Sequence, residues 1–175
     1  MSRLASLVQR TLRSIPDYPK PGILFQDITP VLRDRALFQA VIAEMSRPFA
    51  DSNVTHVLGI EARGFILGGA VAMSLGVGFV PARKPGKLPW ERTTEVYDLE
   101  YGSDALEAHR DAVSSGDRVL VVDDVLATGG TAKAAGQLVT ALGATLVGWS
   151  FLLEISPLQG RKRLNGAPCQ VVTTC

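Results

Sequence analysis

The residues best placed to do chemistry lie in one run, Val119-Leu-Val-Val-Asp-Asp-Val-Leu-Ala-Thr-Gly-Gly-Thr131. An apolar, β-branched stretch ends in two adjacent aspartates, and a short Thr/Gly loop then opens an alanine-rich segment of helical character. Ala127, Thr128, Gly129, Gly130 and Thr131 can aim successive backbone N–H groups at one point with little side chain in the way. The start of the helix adds partial positive charge, and the threonines add two hydroxyl donors. This is a phosphate cradle. It is not the kind found in nucleotide triphosphatases, because no lysine follows the second glycine. Asp123 and Asp124 would repel a phosphate unless they met hydroxyls or a metal. A ribose offers two hydroxyls and Mg²⁺ relieves the repulsion, so the run points to a ribose 5′-phosphate. Thr-Gly-Gly-Thr alone would be only a turn; the thirteen residues together carry the reading.

Other segments add candidate groups. Ile60-Glu-Ala-Arg-Gly64 sits between a strand-like and a helix-like stretch, a second place for an anion, with the Arg63 fork to hold it. On spacing alone, a surface arginine beside a turn glycine stays open. Arg83-Lys-Pro-Gly-Lys-Leu-Pro-Trp-Glu-Arg92 has four basic residues against one acid, a local charge of +3 in a chain whose net charge is +1. In isolation it reads as a solvated loop. Beside a phosphate site it suits a closing lid. Leu99-Glu-Tyr-Gly102 offers a carboxylate and a phenol; Glu100 reads equally as a proton acceptor or as an exposed strand-end charge. Phe25, in a Pro-rich arm, can stack on a flat base or pack beneath the arm.

The elements that must position these groups follow from periodicity. Residues 2–13 place Leu4, Leu7, Val8 and Leu12 on one helical face. Ser14–Pro30, with four prolines, reads as an extended arm or site loop rather than regular helix. Asp34 is expected to cap a helix whose buried face is Leu37, Phe38, Val41, Ile42 and Met45. The uncharged stretch Gly64–Ala82 reads as a helix to Leu75, stopped at Gly76, and a buried strand Val77–Val80, rather than a membrane span. Gly64, Gly68 and Ala72 give that helix a small-residue face. Thr55–Ile60, Arg118–Asp123 and Ala144–Leu153 read as strands, and Glu95–Leu99 as a weak one. Asp104–Val113, Thr131–Leu142 and Pro157–Leu164 read as helices. Strands alternating with helices predict an α/β fold, a doubly wound, mostly parallel sheet flanked by helices.

Composition narrows the classes. The chain has 175 residues, 46% hydrophobic and 20% charged, which excludes disorder, collagen and coiled coil and fits one globular domain. Eighteen basic against 17 acidic side chains argue against a nucleic-acid partner. The two cysteines, Cys169 and Cys175, make neither a disulfide framework nor a zinc site, which favours a reducing cytoplasm. The N-terminus lacks the apolar core of a signal peptide.

The 119–131 run resembles the phosphoribosyl-pyrophosphate motif of the type I phosphoribosyltransferases. GILFQDITPVL (22–32), GIEARGF (59–65), RKPGKLP (83–89) and LEYG (99–102), in the same order, are similar to the adenine-using members of that family. The resemblance covers about residues 12–164. It implies a type I phosphoribosyltransferase fold, residues 1–175 as a single domain, with 1–33 as a small N-terminal hood over the base site. It implies transfer of 5-phosphoribosyl from phosphoribosyl pyrophosphate to adenine, giving AMP and pyrophosphate. Ala127–Thr131 would hold the 5′-phosphate and Asp123 and Asp124 the ribose hydroxyls. Arg63, Lys84 and Lys87 would hold pyrophosphate, with Arg83 reaching it from the partner subunit of a dimer and Tyr101 nearby. Phe25 and Val125 would sandwich adenine, and Glu100 would handle the proton. Mg²⁺ would arrive with the substrate, with no protein ligand assigned to it. The family is cytoplasmic and homodimeric, with neither a membrane nor a nucleic-acid partner. Gln26, Val125 and the last ten residues depart from the family's usual residues, which leaves an oxopurine or pyrimidine base open. A phosphoribosyl-pyrophosphate sensor without catalysis is the reading from another class, and it would have no use for a lid or for Glu100.

Overall fold

The computed structural model describes residues 2–98, 103–164 and 166–175. Its centre is a five-stranded, all-parallel sheet. The strands are β3 (His56–Ile60), β4 (Gly78–Ala82), β7 (Arg118–Leu126), β8 (Thr145–Glu154) and β9 (Cys169–Thr174), in spatial order β4-β3-β7-β8-β9. Alternate residues face opposite sides. Val57, Leu120, Val122 and Leu152 pack against α1 (Arg3–Thr11), α2 (Thr29–Arg33), α3 (Arg35–Ser46) and α4 (Arg63–Leu75). Leu58, Val119, Val121, Trp149 and Phe151 form the other core with α5 (Gly130–Ala141). Both faces are covered, which is why β3, β7 and β8 read as largely apolar runs.

The helices start and stop where their residues dictate. Asp34 accepts the Leu37 N–H at 3.0 Å and caps α3 as expected. α4 ends at Gly76, whose φ of +70° closes the helix in the left-handed region. The small-residue face of α4 lies directly on the sheet. A Cβ on Gly64 would come within 2.8 Å of Asp123 Oδ1, and one on Gly68 within 3.2 Å of the Gly59 backbone. α4 thereby delivers its first residue, Arg63, beside the end of β7. Among the described residues no helix is long and apolar enough to cross a membrane.

Outside the main sheet are two antiparallel hairpins. β1 (Arg13–Pro16) and β2 (Leu24–Asp27) make up the arm, and β5 (Arg92–Asp98) and β6 (Ser103–His109) stand over α5. The second hairpin corrects the helix expected over Asp104–Val113. Ala, Leu and Glu favour helix by only about a few tenths of a kcal/mol each. Pairing with β5 and burial of Ala105, Leu106 and Ala108 outweigh that. Four smaller corrections follow from the same competition. Pro157–Leu164 is two short 3₁₀ turns, Ser156–Leu158 and Gly160–Arg163, split at Gln159, whose φ is +53°. The strand expected to be buried at Val77–Val80 is the edge strand β4, with Phe79 exposed. The last two residues of the arm, Thr29 and Pro30, begin α2. The C-terminal residues, in which no element was expected, supply the fifth strand, β9.

Candidate active site

A cavity of about 370 Å³ lies at the carboxyl ends of β3 and β7, beneath the arm. Such crevices are where ligands bind in open α/β sheets. Phe25, Arg63, Lys84, Asp123, Asp124 and Val125 all line it, and Ala127 and Thr131 close its far side. A smaller recess of about 80 Å³ adjoins it, walled by Thr128, Gly129 and Gly130 at the start of α5. β7 continues through both aspartates to Leu126, so the carboxylates sit on rigid backbone rather than in a loop. Gly129 has φ +80°, and a Cβ there would lie 2.4 Å from the Gly160 carbonyl oxygen. Both facts require glycine and leave the loop's backbone bare. The first-turn N–H groups of α5 therefore open onto the recess, and that turn itself carries no acidic residue, although Asp123 also lines the recess.

The two aspartates behave differently. Asp124 is 5% exposed and accepts the Arg63 Nε–H, an ion pair that neutralises it. Asp123 Oδ1 accepts the Asp124 N–H at 2.8 Å. Burial pushes the Asp123 carboxyl well above the usual carboxylate range, and the charge of Asp124 adds to the effect. With both carboxyls ionised, the pair would carry more negative charge than Arg63 alone compensates. Hydroxyl donors or a hard cation suit that excess. No cluster of three or more acidic, His or Cys side chains stands ready for a metal among the described residues. One or two carboxylates with substrate oxygens is the set Mg²⁺ commonly takes.

The side of the cavity beneath the arm is aromatic. Phe25 packs edge-on against Tyr18, with ring centroids 5.1 Å apart, and the Arg63 guanidinium carbon lies 5.3 Å from the Phe25 centroid. Val125 lines the same cavity. The Ser14 hydroxyl donates to Gln26 Oε1 at 3.2 Å, which orients that amide.

Of the basic residues expected to hold an anion, Arg63 and Lys84 face the cavity and Arg83 and Lys87 do not. Arg83 pairs with Glu61 at 3.4 Å, donates to the Lys87 carbonyl at 3.1 Å and lies over Phe65. Lys87 and Trp90 are exposed. Glu100 and Tyr101 lie outside the described residues.

A phosphoribosyl transferase domain matches residues 30–166. Over 154 residues the chain is 61% identical to adenine phosphoribosyltransferase from Myxococcus xanthus, covering 88% of this chain and 84% of the relative. The chain belongs to the adenine phosphoribosyltransferase family. Family members of known structure share the whole fold. The enzyme from Rhodothermus marinus has a TM-score of 0.95 at 49% identity over 98% of both chains. The one from Saccharomyces cerevisiae, solved with adenine and an imino-altritol bisphosphate, has a TM-score of 0.92 at 41% identity, over 98% of this chain and 99% of that one.

Several residues around the site escaped the sequence reading. Glu61 accepts the Lys84 N–H at 2.8 Å, which holds its carboxyl below the usual range, and it ties β3 to the start of the basic loop; the Glu61–Ala62 peptide is cis. Asp27 accepts the Thr29 N–H at 2.9 Å and joins the arm to α2. Gly160 backs the loop 127–131, and Ile155 lines the cavity. Glu61 had a signal, a carboxylate at a strand end beside Arg63. The others meet the site only through the tertiary fold.

Proposed function

We propose that this chain transfers the 5-phosphoribosyl group of phosphoribosyl pyrophosphate to adenine, forming AMP and pyrophosphate, as a pentosyltransferase of purine salvage. The observation that carries the reading is the single cavity that joins the Asp123–Asp124 pair, the Arg63 guanidinium and Phe25, with the glycine-lined recess alongside. It provides in one place for a phosphate, a ribose, an anionic leaving group and a flat base.

In this reading residues 1–175 act as one unit, with 1–33 as a hood over the base. Backbone N–H groups of Ala127–Thr131 hold the 5′-phosphate in the recess. Asp123 and Asp124 accept the ribose hydroxyls, while Arg63 and Lys84 hold pyrophosphate. Mg²⁺, brought with the donor, neutralises phosphate charge and makes pyrophosphate a better leaving group. Phe25 and Val125 flank adenine so that its N9 faces C1′. The C1′–O bond to pyrophosphate breaks, the N9–C1′ bond forms, and the N9 proton passes to the Glu100 carboxylate. Positive charge develops on the ribose ring as pyrophosphate departs, and water would trap it. The loop 83–92, bringing Lys87, would exclude that water on closing, with Tyr101 near the ribose. Most of the rate enhancement then comes from positioning and fixed charge.

The enzyme is proposed to work in the cytoplasm as a homodimer, without a nucleic-acid or membrane partner. Ile66 and Met73 on α4 are 49% and 83% exposed, and Phe79 on the edge strand β4 is 38% exposed. These exposed apolar side chains on two neighbouring elements suit contact with a second copy. Arg83 directly follows β4, so pairing through that face would carry it toward the partner's site.

The test is product formation from phosphoribosyl pyrophosphate and Mg²⁺ with adenine, hypoxanthine and guanine in parallel. AMP from adenine alone is the expected result. Product from another base would place the error at Gln26 and Val125, and no product with any base would favour the sensor.

A further inference from the structure

Lys84 is held at both ends by different parts of the fold. Its backbone N–H is fixed to Glu61 at the end of β3, at 2.8 Å. Its ammonium donates to the Tyr97 hydroxyl at 2.7 Å and pairs with the Asp104 carboxylate, and the Tyr97 hydroxyl donates to Asp104 Oδ2 at 3.1 Å. Tyr97 and Asp104 face each other across the β5–β6 ladder, one step from the Asp98–Ser103 pair. Between those last two run residues 99–102, which carry Glu100. Lys84 is therefore a strut from the cavity wall to the hairpin that bears the candidate base.

An ammonium has three N–H donors, and two are committed here. Desolvation opposes the charge on Lys84, but the bonds to Asp104 and Tyr97 outweigh it and hold the ammonium above its usual range. The side chains of Lys84 and Asp104 are 36% and 29% exposed, and Lys84, though not Asp104, lines the cavity, so an incoming anion can reach Lys84 from there. A carboxylate and a polyanion cannot both lie against one ammonium without repelling each other.

We propose that Asp104, braced by Tyr97, is the resting counter-ion of Lys84 and competes with pyrophosphate for it, so that filling the pyrophosphate site breaks the Lys84–Asp104 pair. The proposal rests on Lys84 binding pyrophosphate, as in the function above. Asp104 is then a positioning residue. It holds Lys84 when the site is empty and takes it back as the product leaves.

The test is calorimetric titration of Mg²⁺-pyrophosphate into the full-length wild type, Asp104→Asn and Tyr97→Phe, with steady-state kinetics alongside. Asp104→Asn should bind pyrophosphate about two- to fivefold more tightly, the range a half-exposed ion pair supplies. KM for phosphoribosyl pyrophosphate should fall by the same factor while kcat does not rise. Tyr97→Phe should shift binding the same way by less, and Asp104→Glu should restore the wild-type values. In a Lys84→Met background the gain should vanish, which a merely structural role for Asp104 would not produce. Unchanged or weaker binding by a folded Asp104→Asn protein overturns the proposal, as does absence of pyrophosphate binding by the wild type. If Asp104→Asn does not fold, the Tyr97→Phe comparison decides in the same way. A wild type that makes AMP alongside an unresponsive Asp104→Asn removes only this proposal; a wild type that makes no AMP removes the function itself.

Discussion

At the floor of the cavity, burial and the neighbouring charge of Asp124 both push the Asp123 carboxyl above the ordinary carboxylate range. A carboxyl whose folded value is raised contributes stability below its unfolded value and loses it as pH rises through the folded one. The wild type should therefore lose stability from about pH 4 upward through this group. Asp123→Asn keeps the acceptor for the Asp124 N–H and removes the like charge. It should melt about 2–4 °C higher at neutral pH, the shift that about 1 kcal/mol gives a chain of this size. Its melting temperature should fall less with rising pH, and it should bind phosphoribosyl pyrophosphate more weakly. Thermal unfolding across pH, with and without the donor, checks each part. Glu100→Gln tests the proposed proton acceptor. Turnover should drop by about 10²- to 10⁴-fold with donor affinity nearly intact, and unchanged turnover in a kinetic assay would remove Glu100 from the mechanism.

The loop 127–131, proposed to hold the 5′-phosphate, depends on an element that is distant in sequence. The 3₁₀ turn Gly160–Arg163 presses its first residue against the loop, so a Cβ on Gly160 would lie 2.3 Å from the Ala127 carbonyl oxygen. Gly160→Ala should push the loop out of place and raise KM for phosphoribosyl pyrophosphate by about 10- to 100-fold, the cost of an ångström-scale misplacement. Steady-state kinetics with a melting curve separates this from unfolding. The basic loop is anchored in a similar way. Glu107, 4% exposed on β6, accepts the Gly86 N–H at 3.1 Å and the Arg92 Nε–H at 3.0 Å, while its backbone pairs with Arg83. One buried carboxylate ties both ends of the loop to the hairpin; between them Leu88 is buried and the Glu91 carbonyl accepts the Arg110 N–H at 3.0 Å, while Lys87, Pro89 and Trp90 are exposed.

For the whole molecule, the proposed assembly is through the α4–β4 face. Met73→Glu places a charge at a position 83% exposed in the single chain, so it should leave the fold intact. In analytical ultracentrifugation the wild type should sediment as a dimer and the variant as a monomer. Activity should fall with the dimer, because Arg83 would no longer reach a partner's site. A monomeric wild type with full activity would remove Arg83 from the pyrophosphate site.

The chemistry was legible in the sequence because it sits in contiguous runs. Asp123 to Thr131 needs only a strand, a bare loop and a helix start, all of which local residue types dictate. The same holds for Arg63 at the head of α4 and for the Asp34 cap. The alternation of apolar strands and helices sufficed for the α/β class. Only the tertiary structure decided what depends on distant partners. Asp104–His109 became a strand because β5 and α5 bury it, against the helical preference of its own residues. β9 exists because β8 offers an edge to pair with. Gly160, Glu61, Asp104 and Tyr97 join the site through contacts between segments that the linear chain keeps apart, so no local spacing records them.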